Sequence, residues 1–241
     1  MFNALVVVAA LVAGGIASIA GFGIGSILTP LLAVKLDTKL AVAAVSIPHF
    51  LGTGLRLFLT RQHVNQRVLW TFGVTSALGG LGGAVLHVYF TSAVLGYLLG
   101  ALLVFAGVTG LTGLASRIRF GRRSAWVAGG LSGAFGGLVG NQGGIRSAAM
   151  LAFDVPKESF IATATAIGLA VDIARMPVYA ATQAHQIATV WTIIVMAVAG
   201  VVAGTLLGQP LLRSIPESKF RRVVSLLIMA LGVSMLIHPG R

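Results

Sequence analysis

The four longest stretches of the chain without Asp, Glu, Lys or Arg are Met1 to Val34, Val68 to Ser116, Ser124 to Ile145 and Met176 to Leu212. Crossing about 30 Å of hydrocarbon takes about 20 helical residues, so every one of them can span a bilayer. Two are long enough to hold a pair of spans. Charged residues make up 9% of the chain and hydrophobic ones 57%, whereas a water-soluble domain carries roughly 25% charge. A transmembrane β-barrel would alternate in segments of about ten residues, unlike these continuous runs of Leu, Val, Ala and Gly. The expected fold is an all-α integral membrane protein of about eight hydrophobic helical segments.

The formal net charge of +12 would suggest nucleic acid in a soluble protein. Here most Lys and Arg fall in short loops between apolar runs, where they act as topology signals, and no nucleic-acid partner is expected. The chain has no cysteine, which removes disulfides and thiolate metal sites. No cofactor or metal is expected. The apolar N-terminal run lacks the positive region of a cleaved signal peptide and is read as mature protein.

The chain repeats itself. "GGIASIAGFGIGS" (Gly14 to Ser26) has a counterpart in "GGLSGAFGGLVGNQGG" (Gly129 to Gly144), with Gly21 and Gly25 falling on Gly140 and Gly144. The same register puts Arg56 on Arg175 and Ser46 on Thr165; a slightly larger one puts Trp70 on Trp191, Gly79 on Gly200 and Gly83 on Gly204. This predicts two halves, residues 1–115 and 125–241, joined by a basic linker over residues 116–124. Each half begins with a glycine-broken segment followed by three helices. The expected segments are 2–20 with 26–34, 38–60, 68–89 and 92–115, then 124–139 with 145–153, 156–180, 187–207 and 219–237.

Arg56, Arg146 and Arg175 lie within apolar segments; the other basic residues report orientation. If both broken segments cross the membrane, the halves are parallel and the charges split seven to seven. If each turns back at its glycines, the halves are inverted. One side then holds eleven Lys and Arg and the other only Lys35, Lys39 and Arg241. The excess of positive charge on the cytoplasmic side of membrane proteins favours the inverted arrangement.

A helix broken at membrane depth survives only where protein or a water-filled cavity satisfies the freed backbone groups. Gly21, Gly23, Gly25, Gly140, Gly143 and Gly144 mark such breaks, and a short helix resumes after each. The first-turn N–H groups of such a helix suit an anion. Arg146 near one of these starts opposes the helix dipole unless a negative ligand meets both. Asn141, Gln142, Ser147, Ser26 and Thr29 add polar groups, giving donors in excess of acceptors. Oxyanions, which only accept hydrogen bonds, need that excess; metal cations need the reverse. Asp172, the acidic residue deepest in an apolar segment, is spaced to pair with Arg175 on one helical face.

"GFGIGSILTPLLAV" (Gly21 to Val34) and "GGLVGNQGG" resemble the two glycine-rich motifs of the TauE/SafE sulfite-exporter family, and the resemblance extends over essentially the whole chain. It implies export or uptake of small anions such as sulfite, thiosulfate, organosulfonates or related organic anions across a bacterial inner (cytoplasmic) membrane. The second motif departs from the family in carrying Asn141, Gln142 and Arg146, with Ala149 where Pro30 stands in the first half. These extra polar groups lie where selectivity would be set.

The expected substrate-binding residues are therefore Arg146, Asn141, Gln142, Gly143, Gly144, Ser147, Gly23, Gly25, Ser26, Thr29, Arg56 and Arg175. His49, one helical face with Thr53 and Arg56, and Asp172 are candidate proton carriers. Several alternatives stand beside these assignments. Arg56 and Arg175 can serve as anchors near helix ends, His49 as a structural histidine, and Arg146 as a tie to backbone carbonyls of the opposite broken segment. Gly79 with Gly83, Gly96 with Gly100 and Gly200 with Gly204 read as helix-packing pairs. The expected partners are a small anion and membrane lipids, with a homo-oligomer left open. An anion channel and a carrier of a non-sulfur carboxylate are the alternative functions. An enzyme is not expected, since no nucleophile triad, metal cluster or paired carboxylates stand at recognisable spacing.

Overall fold

The computed structural model describes residues 1–114, 122–150, 153, 155–212 and 216–240. Most of the basic linker lies outside them, as do Arg213, Arg241 and part of the segment expected to end at residue 153. Described residues form α1 (Phe2–Ala20), α2 (Ile24–Leu32), α3 (Thr38–Thr60), a short α4 (Gln66–Val68), α5 (Val74–Tyr89) and α6 (Ser92–Thr112). After the linker come α7 (Arg122–Val139), α8 (Gly143–Met150), α9 (Lys157–Thr189), α10 (Trp191–Leu212) and α11 (Glu217–Ile237). A wide π turn over Leu69–Gly73 joins α4 to α5, making one continuous apolar segment from Gln66 to Tyr89. Seven helices among the described residues are long and apolar enough to cross a membrane. The protein is an all-α membrane protein.

Helix boundaries follow local chemistry. Asp37 accepts from the Leu40 N–H at 3.0 Å and caps α3, and Asn65 does the same for Val68 at 3.1 Å. Pro156 and Pro216 precede α9 and α11. The largest departure from expectation is α9, which continues 33 residues to Thr189 where a break after residue 180 was expected. The segment Ala180 to Thr189 holds neither Gly nor Pro, so nothing in the backbone stops it until Val190. Both short helices also start two residues earlier than expected, at Ile24 and Gly143.

Both breaks have the same backbone solution. α1 ends at Gly21 with φ 75° and α7 ends at Gly140 with φ 72°, the left-handed conformation that glycine alone adopts without strain. These are the two glycines that the internal repeat aligns.

The course of the chain through the bundle follows from which residues meet. Along α10, Gly200, Gly204 and Gly208 meet Val7, Leu11 and Gly15 in that order, so α1 and α10 run parallel. Ala44 clusters with Val190 and Ile194, and Gly52 meets Val201, so α3 also runs parallel to α10. Since α1 and α3 point the same way, α2 between them turns back. Lys35, just past α2, accordingly sits 4.5 Å over the ring of Phe2 at the start of α1. The second half repeats the arrangement. Gly129, Gly133 and Gly137 of α7 meet Phe72, Ser76 and Gly80, and Ile167 and Val171 of α9 meet Gly73 and Gly80. Hence α7, α9 and α5 are parallel and α8 turns back.

Each half therefore lends its first helix to the other: α1 packs on α10, and α7 on α5. The central contacts, α3 with α9 and α6 with α11, are both antiparallel, as shown by Arg56 on Thr165 with His49 on Asp172, and by Gly100 near Leu236 with Gly110 near Ser225. Glycines supply the closeness. A Cβ added at Gly83 would overlap the Ala134 carbonyl, and one at Gly204 the Leu11 carbonyl. In lipid, where burying apolar surface gives helices little reason to associate, such backbone approach is the main source of packing energy.

Gly83→Ala or Gly204→Ala must push two backbones apart and should cost about 1–3 kcal/mol. Gly82→Ala, whose Cβ meets nothing within 4 Å, should be neutral or slightly stabilising. Thermal unfolding in detergent reads the contrast; equal effects at Gly82 and Gly83 would refute the packing account.

Candidate functional site

The antiparallel crossing of α3 and α9 carries the polar centre of the protein. On α9, Thr165, Gly168, Asp172, Arg175 and Tyr179 recur at a spacing that sets them on one helical stripe. On α3, His49, Thr53 and Arg56 face it. The two breaks close over this stripe from either end: a Cβ on Gly25 would overlap the Gly140 carbonyl and touch the His49 ring, and Gly143 packs on Phe22. Ser26 Oγ donates to Asn141 Oδ1 at 3.3 Å, tying the starts of α2 and α8 together.

Two groups of charged side chains lie along the stripe. In the first, Arg175 donates from Nε to Asp172 Oδ1 at 3.0 Å, with Nη2 at 2.8 Å from the same oxygen, forming the ion pair that the spacing predicts. His49 Nδ1 stands 2.6 Å from Asp172 Oδ2. Arg175 Nη1 also donates to Gly136 O at 2.7 Å. Tyr179 Oη donates to Gly137 O, and His87 Nδ1 to Leu138 O at 2.7 Å. Three successive carbonyls in the last turn of α7 thus receive side chains of α9 and α5, and Gly136 O also accepts from the Gly140 N–H at 3.1 Å.

In the second group, Arg146 Nη2 donates to Gly21 O at 3.1 Å, the freed carbonyl at the end of α1. Arg56 Nε donates to Thr165 Oγ1 at 2.8 Å. Both guanidinium groups converge on one turn of α9: Arg146 Nη1 lies over Gly168, where an added Cβ would be 2.8 Å from it, and Thr165 is one turn away. Their charges repel each other, and both are attracted by Asp172. Arg56 is 3% exposed, Arg146 2%, Arg175 2% and Asp172 0%. Yet Arg56 Nη1, Arg146 Nε and Arg146 Nη1 are buried without a hydrogen-bond partner among the described residues. Since a buried donor left unpaired costs about 1–3 kcal/mol, and more when charged, this arrangement invites an acceptor.

The remaining expected residues divide. Thr29 Oγ1 is buried near Gly140 and Arg175 and has no partner among the described residues. Gln142 offers its backbone carbonyl to Ser132 at 3.2 Å, while its side chain packs on Gly136. Gly23 folds against Ile16, and Gly144 faces Ala106 of α6, away from the arginines. Ser147 is half-buried in α8. Thr165, Gly168, Tyr179 and His87 were not anticipated as site residues. The stripe spacing on α9 was a usable signal for the first three. The role of His87, which caps a helix far away in sequence, left no local signal.

The sulfite exporter TauE/SafE family matches residues 6–235 of the chain, nearly its full length. The chain belongs to the TauE/SafE family. Members of this family are membrane anion exporters or permeases. No curated protein and no solved structure matches the chain.

The two arginines contrast in what they hold. Arg175→Met would remove both nitrogens that Arg175 places on the Asp172 carboxylate, leaving His49 alone beside it, and should destabilise the anion-free protein by about 3–5 kcal/mol. Arg146→Met removes a charge with two unpartnered nitrogens and should cost far less, or stabilise. Chemical unfolding in detergent separates the two; a loss at Arg146 as large as at Arg175 would make Arg146 a purely structural tie.

Proposed function

We propose that the protein is a secondary transporter for small oxyanions such as sulfite, thiosulfate or organosulfonates, bound between Arg56 and Arg146. The observation behind it is the set of buried, unpartnered N–H groups of these two arginines, contributed by different halves and converging on the Thr165 to Gly168 turn. An oxyanion supplies acceptors and opposite charge together. Thr53, also buried, packs its methyl group on the same Gly168. Because the arginines are only 2–3% exposed, the site is closed to bulk water, which favours alternating access over an open channel.

The two halves, in this proposal, are inverted repeats that rock about the α3–α9 crossing. Antiparallel pairing of α3 with α9 and of α6 with α11, and the turning back of α2 and α8, support it. The bundle end bearing Arg61, Arg67, Lys157 and Lys219 then faces the cytoplasm, and the end bearing Lys35 and Lys39 faces outward, in a bacterial inner membrane.

Two measurements test these assignments. Thermal stability of the detergent-purified protein should rise with one of sulfite, thiosulfate, methanesulfonate or sulfate, by about 2.7 kcal/mol at a hundredfold excess over Kd. Arg56→Ala and Arg146→Ala should each abolish the effect; an undiminished response in both would place the site elsewhere. Because the chain has no cysteine, single cysteines report topology directly. Lys35→Cys should react with a membrane-impermeant thiol reagent in intact spheroplasts, and Arg67→Cys only after lysis. The reverse pattern would invert the assignment.

A further inference from the structure

The His49–Asp172 pair lies one turn from the arginines, and its chemistry is directional. Asp172 is held as a carboxylate by two nitrogens of Arg175, so Oδ2 can only accept, and His49 Nδ1 must be the donor across their 2.6 Å contact. A proton gained by this pair therefore goes to His49 Nε2, turning a neutral imidazole into an imidazolium. Asp172 is fully buried, whereas the His49 side chain retains 12% exposure, so the histidine is the member that meets protons from outside.

We infer that His49, poised by Asp172, is a proton-binding site whose occupancy strengthens binding of the anion between Arg56 and Arg146. This rests on the anion site proposed above and assigns its coupling ion. Arg56, Arg146 and Arg175 against Asp172 leave the centre at +2 when His49 is neutral; protonation makes it +3. Added positive charge in a closed, low-dielectric space favours an anion, and by reciprocity a bound anion favours the proton. Proton and anion therefore bind together and move in the same direction. The charged groups near His49 are Asp172 and Arg175 from α9 and Arg56 from its own helix. α2, which brings Gly25 against the ring, and α10, which packs on α3, contain no charged residue. Arg175 also holds Gly136 O, so the proton site is tied directly to the broken end of α7.

The test uses thiosulfate and methanesulfonate, neither of which changes charge in the range studied, so any pH effect belongs to the protein. Their Kd values are read from thermal stabilisation of the full-length protein in detergent. Wild-type affinity should be roughly tenfold higher at about pH 5.5 than at about pH 8.5, spanning the histidine range. His49→Gln should fix the weak-binding charge state at all pH values. Asp172→Asn, which adds the same unit of positive charge permanently, should fix the strong-binding state. The opposite signs of the two variants separate a charge effect from misfolding, which weakens binding in both. In proteoliposomes, an acid-outside gradient should accelerate anion uptake by the wild type and not by His49→Gln. If the anions bind with the same affinity at both pH values, or His49→Gln keeps the pH dependence, the proton site is overturned and the anion site stands. If none of thiosulfate, methanesulfonate, sulfate and sulfite stabilises the wild type at any pH, the anion site itself falls, and the proton site with it.

Discussion

A backbone carbonyl freed at membrane depth must find a donor, because hydrocarbon offers none and each unmet group costs several kcal/mol. Everything at the centre of this protein answers that requirement. Breaking α1 at Gly21 and α7 at Gly140 leaves carbonyls in the middle of the bundle short of backbone donors, and side chains from other helices reach them. The donors are Arg146 to Gly21, and Arg175, Tyr179 and His87 to Gly136, Gly137 and Leu138, two of the four being arginines. A carbonyl end of a helix carries partial negative charge, so arginine suits it better than a neutral donor would. The positive centre that invites an anion is thus a consequence of the broken helices.

The exchange of first helices between halves follows from the same geometry. Once α2 and α8 turn back, α1 and α7 stand at the edges of their own halves and find complementary glycine-lined faces on the opposite one. Gly200, Gly204 and Gly208 receive α1, while Gly129, Gly133 and Gly137 let α7 approach α5. Neither half can close its own broken segment. The proposed anion region at the α3–α9 crossing is therefore framed by elements of both halves.

Much of this was legible in the sequence, for identifiable reasons. Long uncharged runs can be little but membrane helices, glycine clusters at matching positions announced the breaks, and an arginine without a neighbouring acid announced a ligand or a carbonyl. Arg146 meets the carbonyl, at Gly21, and the ligand is the role proposed for its remaining nitrogens. The Asp172–Arg175 pair followed from spacing on one helix. What escaped were pairings across distant sequence, such as His49 with Asp172 and His87 with Leu138, and the partner exchange of α1 and α7. In soluble helices a polar face tells inside from outside. Here α6 and α10 are apolar all round, so glycine alone marks the packed face, and glycine does not say which helix packs there. The length of α9 was missed for a related reason: with no Gly or Pro between Ala180 and Thr189, the polar end of the helix has the same claim to be helical as the apolar part before it.

The two halves are unequal at the decisive point. The end of α7 is fastened by three side chains, each with a dedicated carbonyl, whereas Arg146 is the donor that α8 brings to the end of α1, and it uses one nitrogen of its guanidinium to do so. Its Nη1 lies over Gly168 and, like Nε, has no hydrogen-bond partner among the described residues. An anion bound there draws on the same guanidinium that holds α1, while leaving the fastening of α7 untouched. On the proposed reading, the response to an anion falls on the more weakly held broken helix, α1, and on α10 packed along it. Because α1 and α10 belong to different halves, the departure from symmetry at Arg146 would couple occupancy of that site to both of them.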